Sequence, residues 1–153
     1  MTLVEFECRG QRFALPLHCV RRVVASAQPD VLPGAPDIVL GVLNVGGEIV
    51  TLIDFGRRIG GPATELNVAQ RLLIIDIGGF AVAFVVDAVI GVSSREWEHL
   101  PGLPARLSGA EFVDAVVRLD DGLCIIVNPE KFLFEDERVL LGDALEKMRH
   151  EEH

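Results

Sequence analysis

The sequence predicts a mainly β protein in which two small five-stranded barrels pack together, with short capping helices and a C-terminal helix. Short apolar runs separated by glycine-containing turns predict strands along most of the chain. The same order of elements occurs twice, which predicts an internal duplication. Each copy offers about five strands, a number that can close a small barrel and remove exposed sheet edges.

The length and composition fit one compact domain. The chain has 153 residues, of which 50% are apolar, enough to bury about 70% of the unfolded surface without metal or disulfide crosslinks. Three cysteines, an odd number without a CxxC spacing, occur at Cys8, Cys19 and Cys124. That usage is typical of a reducing compartment, and we expect a cytoplasmic protein.

The charge distribution argues against two classes of partner. Fourteen Lys and Arg residues against 23 Asp and Glu residues give a formal net charge of −9. Residues 77–153 hold 7 basic and 15 acidic side chains, a net −8. Nucleic acids and anionic membrane surfaces both require a basic patch. We therefore expect no nucleic-acid partner and no direct membrane insertion.

One apolar stretch, residues 72–92, has the length of a membrane span. Asp76 and Asp87 would each cost roughly 2.5–3.5 kcal/mol at the centre of a spanning helix, and Gly78-Gly79 divides the stretch. Because β-branched and aromatic residues dominate both sides, we predict two buried strands joined by a tight turn. The acidic start of the sequence likewise argues against a signal peptide.

The first copy consists of a hairpin, a further strand, a loop and a second hairpin. Its apolar runs are residues 4–8, 13–17, 20–24, 41–45 and 49–53. Arg9-Gly10 and Gly46-Gly47 supply the hairpin turns. The run at residues 20–24 fits a strand or a short helical turn. The motif LPGAP at residues 32–36 is a loop.

The second copy repeats this order. Its apolar runs are residues 72–75, 80–86, 88–92, 112–117 and 123–127. Gly78-Gly79 and Asp120-Asp121-Gly122 supply the turns. The motif LPGLP at residues 100–104 repeats the loop of the first copy.

Each copy ends in a short capped helix. Asp54 is the predicted N-cap of a helix at residues 55–59, which Gly60 ends. Asn128 is the matching cap, and Pro129 takes the first helical position, where its missing N–H costs nothing. The recurrence of a cap at the same place in each copy supports the duplication.

The last part of the sequence, residues 135–153, differs in kind from the rest. It is rich in charge, and its apolar residues Val139, Leu141, Leu145 and Met148 recur roughly on one helical face. This pattern predicts a C-terminal helix that packs back on a barrel. A helix that docks onto a partner is the alternative.

The sequence gives little support for catalysis, a cofactor or a metal. As strand neighbours, His18 and Cys19 would point to opposite faces and could not share a proton. Glu96, Glu98 and His99, in the loop at residues 96–99, have no second cluster to complete a site. Asp76 and Asp87 are interpreted as strand-end carboxylates that accept backbone N–H groups. The alternative, a small-ligand enzyme, would need His18, Asp76, Asp87 or His99 within hydrogen-bond reach of one another.

Three motifs occur in a distinctive order. They are GVLNVGGEIVTLID at residues 41–54, VVDAV at residues 85–89, and NPEKFL at residues 128–133, followed by Leu140-Leu141. They resemble GVxNLRGxIVPxxDL, VVDxV and the ending of the CheW family of chemotaxis coupling proteins. The resemblance covers nearly the full chain.

The resemblance implies a fold of two SH3-like barrels that exchange strands. On this basis residues 1–153 form a single CheW-like domain. The middle barrel is expected at about residues 20–85, and the outer barrel at about residues 1–19 plus 86–134. The C-terminal helix is expected at about residues 136–150.

The resemblance also implies a non-catalytic adaptor without a cofactor, which couples chemoreceptors to a CheA-type histidine kinase. Its partners would be the kinase regulatory domain and the cytoplasmic tip of the receptor. By motif match, Val20, Gly41, Asn44 and Val89 fall at partner-sensitive positions. Each also has a structural interpretation: core strand residues for the two valines, a tight backbone approach for the glycine, and a side chain that bonds its own turn for the asparagine.

Two residues depart from the family pattern. Gly46 stands where the family's NLRG motif has arginine, and Arg22 stands where the strand after the first hairpin usually carries glutamate. Because that acid and base could pair in the family, their joint loss indicates local rewiring, and we include Arg22 and Gly46 among the candidate partner-binding residues. The alternative function is therefore a divergent CheW-like scaffold module that has lost kinase coupling.

Overall fold

Strands are the main regular element of the structure. The computed structural model describes residues 1–95, 111–120 and 122–151, so the LPGLP loop and the candidate ligands Glu96, Glu98 and His99 lie outside the described residues. The described strands are β1 (Thr2–Cys8), β2 (Gln11–Pro16), β3 (Val20–Ala25), β4 (Val39–Val45), β5 (Glu48–Ile53), β6 (Arg71–Ile77), β7 (Phe80–Val86), β8 (Ala88–Ser94), β9 (Val113–Leu119) and β10 (Gly122–Val127). The helices are α1 (Phe55–Arg58) and α2 (Glu135–Glu151), with 3-10 turns at Leu17–Cys19 and Pro129–Lys131. The predicted mainly β fold is confirmed.

Two five-stranded sheets share the same arrangement. The outer sheet has the strand order β8-β1-β2-β10-β9, and the middle sheet has the order β3-β6-β7-β5-β4. In each sheet two antiparallel hairpins meet at one parallel pair, β2 with β10 or β7 with β5. The two sheets therefore correspond strand by strand, as an internal duplication requires.

The halves of the chain exchange hairpins between the sheets. Strands β1 and β2 belong to the outer sheet, whereas β3, β4 and β5, which follow them, belong to the middle sheet. Strands β6 and β7 complete the middle sheet, and β8, β9 and β10 complete the outer one. The predicted strand exchange between two five-stranded units is confirmed.

In the described part of the chain, the hydrogen-bonded ladders stop short of closed rings. At the edge of the middle sheet, Asp30 forms an isolated antiparallel bridge with Val42, on the side of β4 that faces away from β5. Its N–H donates to the carbonyl oxygen of Val42 at 2.9 Å, and its carbonyl accepts from the Val42 N–H at 2.8 Å. This bridge stands where a closed barrel would have a ladder between β3 and β4.

One apolar core lies between the sheets and joins them. Phe55, at the start of α1, is fully buried near its centre. Its ring centroid is 5.2 Å from that of Phe6 and 4.9 Å from that of Phe13, both in the outer sheet. It is also 5.2 Å from Phe84 of the middle sheet and 5.0 Å from Phe132. Helix α1 therefore anchors both sheets through aromatic contacts, which stabilise beyond their buried area.

The double burial of β6 explains much of the apolar stretch at residues 72–92. Leu72 and Ile74 pack in a cluster of the middle sheet alone, whereas Leu73 and Ile75 pack in the core shared with the outer sheet. A strand buried on both faces needs apolar residues at every position. The predicted pair of buried strands with a tight turn is confirmed. Among the described residues, no helix combines the length and the hydropathy needed to cross a membrane.

Helix α2 packs back on the molecule, which agrees with the first of its two interpretations. Leu141 and Ala144 are buried, and Leu145 and Met148 pack against the shared core. Val139, expected on the same face, is 56% exposed, so this part of the prediction is wrong. The buried residues follow the i, i+3, i+4, i+7 spacing of one helix face, and Val139 falls beside it.

Candidate partner-binding site

Arg22 and Gly46 are distant in the sequence but neighbours in the structure. Arg22 lies on β3, and Gly46 lies in the turn between β4 and β5. Nη2 of Arg22 donates to the carbonyl oxygen of Val45 at 3.3 Å. A Cβ added to Gly46 would lie 3.6 Å from the same Nη2. The two residues that depart from the family pattern are therefore in contact with each other on the surface.

The charge of the adjacent Arg21 is balanced within the molecule. Its Nη2 donates to Oε1 of Glu48 at 2.7 Å, and its Nη1 lies 3.4 Å from Oδ1 of Asp76. The hydrogen bond to Glu48 raises the pKa of Arg21, and the nearby Asp76 adds to this effect. Asp76, interpreted as an acceptor of backbone N–H groups, thus binds a guanidinium instead. The sequence pattern could not indicate this group because its members lie on three separate elements.

In the described part of the chain, no carboxylate forms an ion pair with Arg22. The residue is exposed, and its hydrogen bond goes to the Val45 carbonyl. A guanidinium in that setting can bind a carboxylate of a partner through two parallel hydrogen bonds. Arg22 and Arg21 therefore differ: Arg21 pairs with two carboxylates, whereas the hydrogen bond of Arg22 goes to a backbone carbonyl.

Asn44 supports the turn that contains Gly46. Its Oδ1 accepts a hydrogen bond from the Gly47 N–H at 2.8 Å, which confirms its interpretation as a residue that bonds its own turn. Gly46 and Gly47 have φ of +61° and +91°, a left-handed conformation that glycine adopts without steric cost. Any side chain introduced at position 46 must adopt the same conformation.

Gly41 is required by a close approach of two backbone segments. It is buried, with φ of +147°. An added Cβ would lie 2.9 Å from Cβ of Pro29 and would press against the carbonyl oxygen of Asp30. The interpretation of Gly41 as a tight backbone approach is confirmed.

Val20 and Val89 lie on different sheets. Val20 is on β3 opposite Ile75, and Val89 is on β8 opposite Phe6. Both are half-buried and pack against the shared core. The structure therefore gathers Arg22, Asn44 and Gly46 where the two edge strands of the middle sheet, β3 and β4, approach each other, and it places Val89 on an edge strand of the outer sheet.

A groove of about 420 Å³ between the sheets is lined by three other polar candidates, His18, Cys19 and Asp76, together with Glu130. His18 and Cys19 lie in a 3-10 turn, so their predicted placement on a strand is wrong, and the argument from opposite strand faces does not apply. Burial, with Glu130 nearby, raises the pKa of the Cys19 thiol. This disfavours the thiolate form that nucleophilic chemistry needs.

Asp87 lies at the crossover from β7 to β8. Its Oδ2 accepts the Arg9 N–H at 2.6 Å, which confirms its interpretation as a carboxylate that accepts a backbone N–H. Within the described residues, no hydrogen bond joins any two of His18, Asp76 and Asp87. The same part of the chain contains no group of three or more His, Cys, Asp or Glu side chains that could hold a metal ion.

Comparison with known proteins identifies one family. The model of the CheW-like domain matches residues 2–137. The chain is 26% identical over 139 residues to the chemotaxis protein CheW of Rhizobium meliloti (strain 1021), covering 89% of each chain. It is 24% identical over 141 residues to the chemotaxis protein CheW of Klebsiella aerogenes, covering 91% of this chain and 85% of that protein.

The fold is similar to that of a solved scaffolding protein. The crystal structure of TtCheW from Thermoanaerobacter tengcongensis superposes with a TM-score of 0.75 at 23% identity. The match covers 89% of this chain and 94% of that chain. At this identity the similarity shows a shared fold.

Proposed function

Because the chain belongs to the CheW-like domain family, we propose that it is a non-catalytic adaptor of bacterial chemosensory signalling. It couples the cytoplasmic tip of a chemoreceptor to the regulatory domain of a CheA-type histidine kinase, and it acts in the cytoplasm without a cofactor. The observation that carries the proposal is that the family match spans both sheets and the core that joins them.

The architecture suits a protein that binds two partners at once. Each sheet keeps exposed apolar residues on an edge strand, with Ile90 and Val92 on β8 at 46% and 63% exposure and Val23 on β3 at 42%. Contiguous apolar patches are typical of interaction surfaces, and these edge strands would each contribute to one such patch. Each contact would be small and weak, and simultaneous contacts would raise the overall affinity.

Direct binding measurements test the proposal. The full chain is titrated by calorimetry with the regulatory domain of the kinase and, separately, with a receptor-tip fragment from the same organism. We expect saturable binding to both fragments. Binding to neither at tens of micromolar would contradict the adaptor function.

The contact between positions 22 and 46 favours a second candidate function, a CheW-like scaffold module that has lost kinase coupling. The double variant Arg22→Glu with Gly46→Arg places an acid beside a base, as in the family pattern. If the departures abolished kinase binding, the double variant recovers it, whereas either single variant does not. If the double variant leaves kinase binding unaltered, the two departures are not the cause of any loss.

A further inference from the structure

We infer that Arg9 is a positioning residue that fixes the angle between the two sheets, and that simultaneous partner binding depends on it. The inference rests on the proposed adaptor function. Arg9 lies in the turn between β1 and β2 of the outer sheet, and its side chain crosses to the segment after α1, which leads into the middle sheet. We refer to Arg9 and its acceptors Asp87, Pro62 and Thr64 as the Arg9 clasp.

The guanidinium of Arg9 is linked to α1 through a chain of hydrogen bonds. Nη2 donates to the carbonyl oxygen of Pro62 at 2.5 Å and to Oγ1 of Thr64 at 3.1 Å. Oγ1 of Thr64 donates in turn to Oδ1 of Asp54, and the Thr64 N–H donates to Oδ2 of Asp54 at 2.8 Å. Asp54 caps α1 by accepting the Arg57 N–H at 3.1 Å. A residue of the outer sheet thus holds the helix that anchors both sheets.

The backbone of Arg9 is held at the crossover between the sheets. Its N–H donates to Asp87, and the Asp87 N–H donates to the carbonyl oxygen of Glu7 at 2.9 Å. Arg9 has φ of +52°, the single positive value among the described non-glycine residues. A left-handed conformation costs a residue with a Cβ about 1–2 kcal/mol. The contacts at both ends of the residue are what maintain this conformation.

Two glycines leave room for the guanidinium. A Cβ added to Gly56, in α1, would lie 2.5 Å from Nε and 2.8 Å from Cζ of Arg9. A Cβ added to Gly61 would overlap the guanidinium outright. The Arg9 side chain therefore fits in its position only because residues 56 and 61, in and after α1, have no side chains.

The hydrogen bonds of the clasp add a directional restraint to the packing of the apolar core. Hydrophobic burial itself is non-directional, whereas hydrogen bonds weaken steeply when they are misaligned. When one molecule binds two partners, the advantage of the second contact depends on the geometry that links the two sites. Loss of the clasp should therefore weaken the ternary complex of this chain with the kinase regulatory domain and the receptor tip. Binding of the chain to either partner alone should be unaffected.

The variant Arg9→Ala tests this inference. Arg71→Ala is the matched control, because Arg71 also donates to backbone carbonyls, those of Ala69 and Gln70, but only within its own surroundings. Spin labels on Val23→Cys and Arg118→Cys in a Cys19→Ser background report the distance between the sheets, and binding is measured separately on the unlabelled chain, because Val23 lies on a proposed interaction surface. We expect Arg9→Ala to broaden that distance distribution and to weaken ternary assembly about tenfold. Binding to each fragment alone should stay within about twofold, and Arg71→Ala should change neither readout.

Gly56→Ala provides a second route that leaves Arg9 in the sequence. The added methyl group displaces the guanidinium, and alanine favours the helix that contains it. We expect the same broadening as in Arg9→Ala, and no further effect when the two variants are combined. Unchanged distances and unchanged ternary assembly in both single variants would overturn the inference. If the wild-type chain binds neither fragment, the adaptor function fails, and the spin-label distances still decide whether the clasp fixes the sheets.

Discussion

Gly41 illustrates how a single missing side chain can be essential for two segments to meet. The α-hydrogen of Gly41 that stands in place of a side chain faces Pro29 and Asp30. Asp30 in turn forms a bridge with Val42 of β4. The LPGAP loop follows at residues 32–36, so the segment that packs against Gly41 leads directly into that loop. A residue that matches a partner-sensitive position can therefore act indirectly, through the shape of the sheet edge.

We expect Gly41→Ala to lower the free energy of unfolding by about 3 kcal/mol or more, because the methyl group adds a backbone clash to the strain of positive φ. Urea denaturation measures the change. Gly10→Ala is the matched control, since Gly10 has φ of +77° with open space around it, and its cost should be limited to about 1–2 kcal/mol. Equal costs for the two variants would show that the close approach is unimportant.

The buried cysteines should make stability depend on pH in the alkaline range. Burial, with Asp87 nearby, raises the pKa of Cys8 from 9.0 to about 12, and burial, with Glu5 nearby, raises that of Cys124 from 9.0 to about 11. Above pH 9 the unfolded chain loses these protons while the folded chain keeps them. The stabilisation is therefore fully present below pH 9 and is lost as the pH rises towards these values.

We expect the free energy of unfolding to fall by about 1.4 kcal/mol per thiol for each pH unit above 9. Tyrosine does not contribute, because the chain has none, and the third thiol, Cys19, whose pKa is also raised by burial, is kept in every variant of this series. Denaturation at a series of pH values between 8 and 11 measures the slope. The double variant Cys8→Ala with Cys124→Ala should flatten it, and a slope that stays the same would contradict the assignment.

Among the elements, α1 and α2 are joined by a largely buried ion pair. Nη2 of Arg58 lies 2.5 Å from Oε1 of Glu137, and the two side chains are 11% and 14% exposed. Oε1 of Glu137 also accepts the Phe134 N–H at 2.8 Å, and the Arg58 guanidinium lies 4.1 Å from the Phe134 ring centroid. The pair therefore fixes the start of α2 against the helix that anchors the sheets.

We expect Arg58→Ala to destabilise the protein by about 3–5 kcal/mol, because it leaves the carboxylate of Glu137 buried without its partner. Limited proteolysis should then cut first within α2. The neighbouring Arg57 is the matched control: it lies 4.0 Å from the exposed Asp37, so Arg57→Ala should cost less than about 1 kcal/mol. Similar losses for both variants would show that burial of the pair does not matter.

The sequence predicted the elements whose signals are local. Gly46-Gly47 and Gly78-Gly79 mark hairpin turns, and Asp54 caps α1 as expected. The placement of His18 and Cys19 failed because a three-residue 3-10 turn leaves no periodic pattern. The assignment of Val139 to the buried face failed because apolar spacing alone does not decide which face of the helix packs against the core. Ala144 lies on the buried face, but its small side chain contributes little to the apolar pattern.

The candidate site was less accessible to sequence reasoning than the elements were. The contact between Arg22 and Gly46 depends on the curvature of the middle sheet, which brings its edge strand β3 close to the turn after β4, the strand at the opposite edge. The ion pairs of Arg21 with Glu48 and Asp76 have the same origin. Motif resemblance named positions 22 and 46, but only the fold shows that they meet.

At the scale of the whole molecule, the shared core should make the two sheets unfold together. Phe55 contacts aromatic rings from both sheets, whereas Ile74 packs only in the cluster of the middle sheet. If the molecule is one cooperative unit, either residue supports both sheets equally.

We expect Phe55→Ala to lower the opening free energy of amide hydrogen exchange by about 3–5 kcal/mol, equally in β1 and β7. Ile74→Ala should lower it by about 2–5 kcal/mol, again equally in both strands. Hydrogen exchange followed by NMR measures both effects. Protection that persists in the outer sheet while the middle sheet opens would contradict this prediction.

The exchange of hairpins between the sheets has a consequence for the origin of the chain. A half-length ancestor with this topology could complete its sheets only as a domain-swapped homodimer, each copy lending its first two strands to the other. Fusing the copies end to end makes assembly independent of protein concentration. Once fused, the copies can diverge separately, and their charges differ: residues 1–70 carry 6 basic and 7 acidic side chains, a net −1, against 8 basic and 16 acidic, a net −8, for residues 71–153.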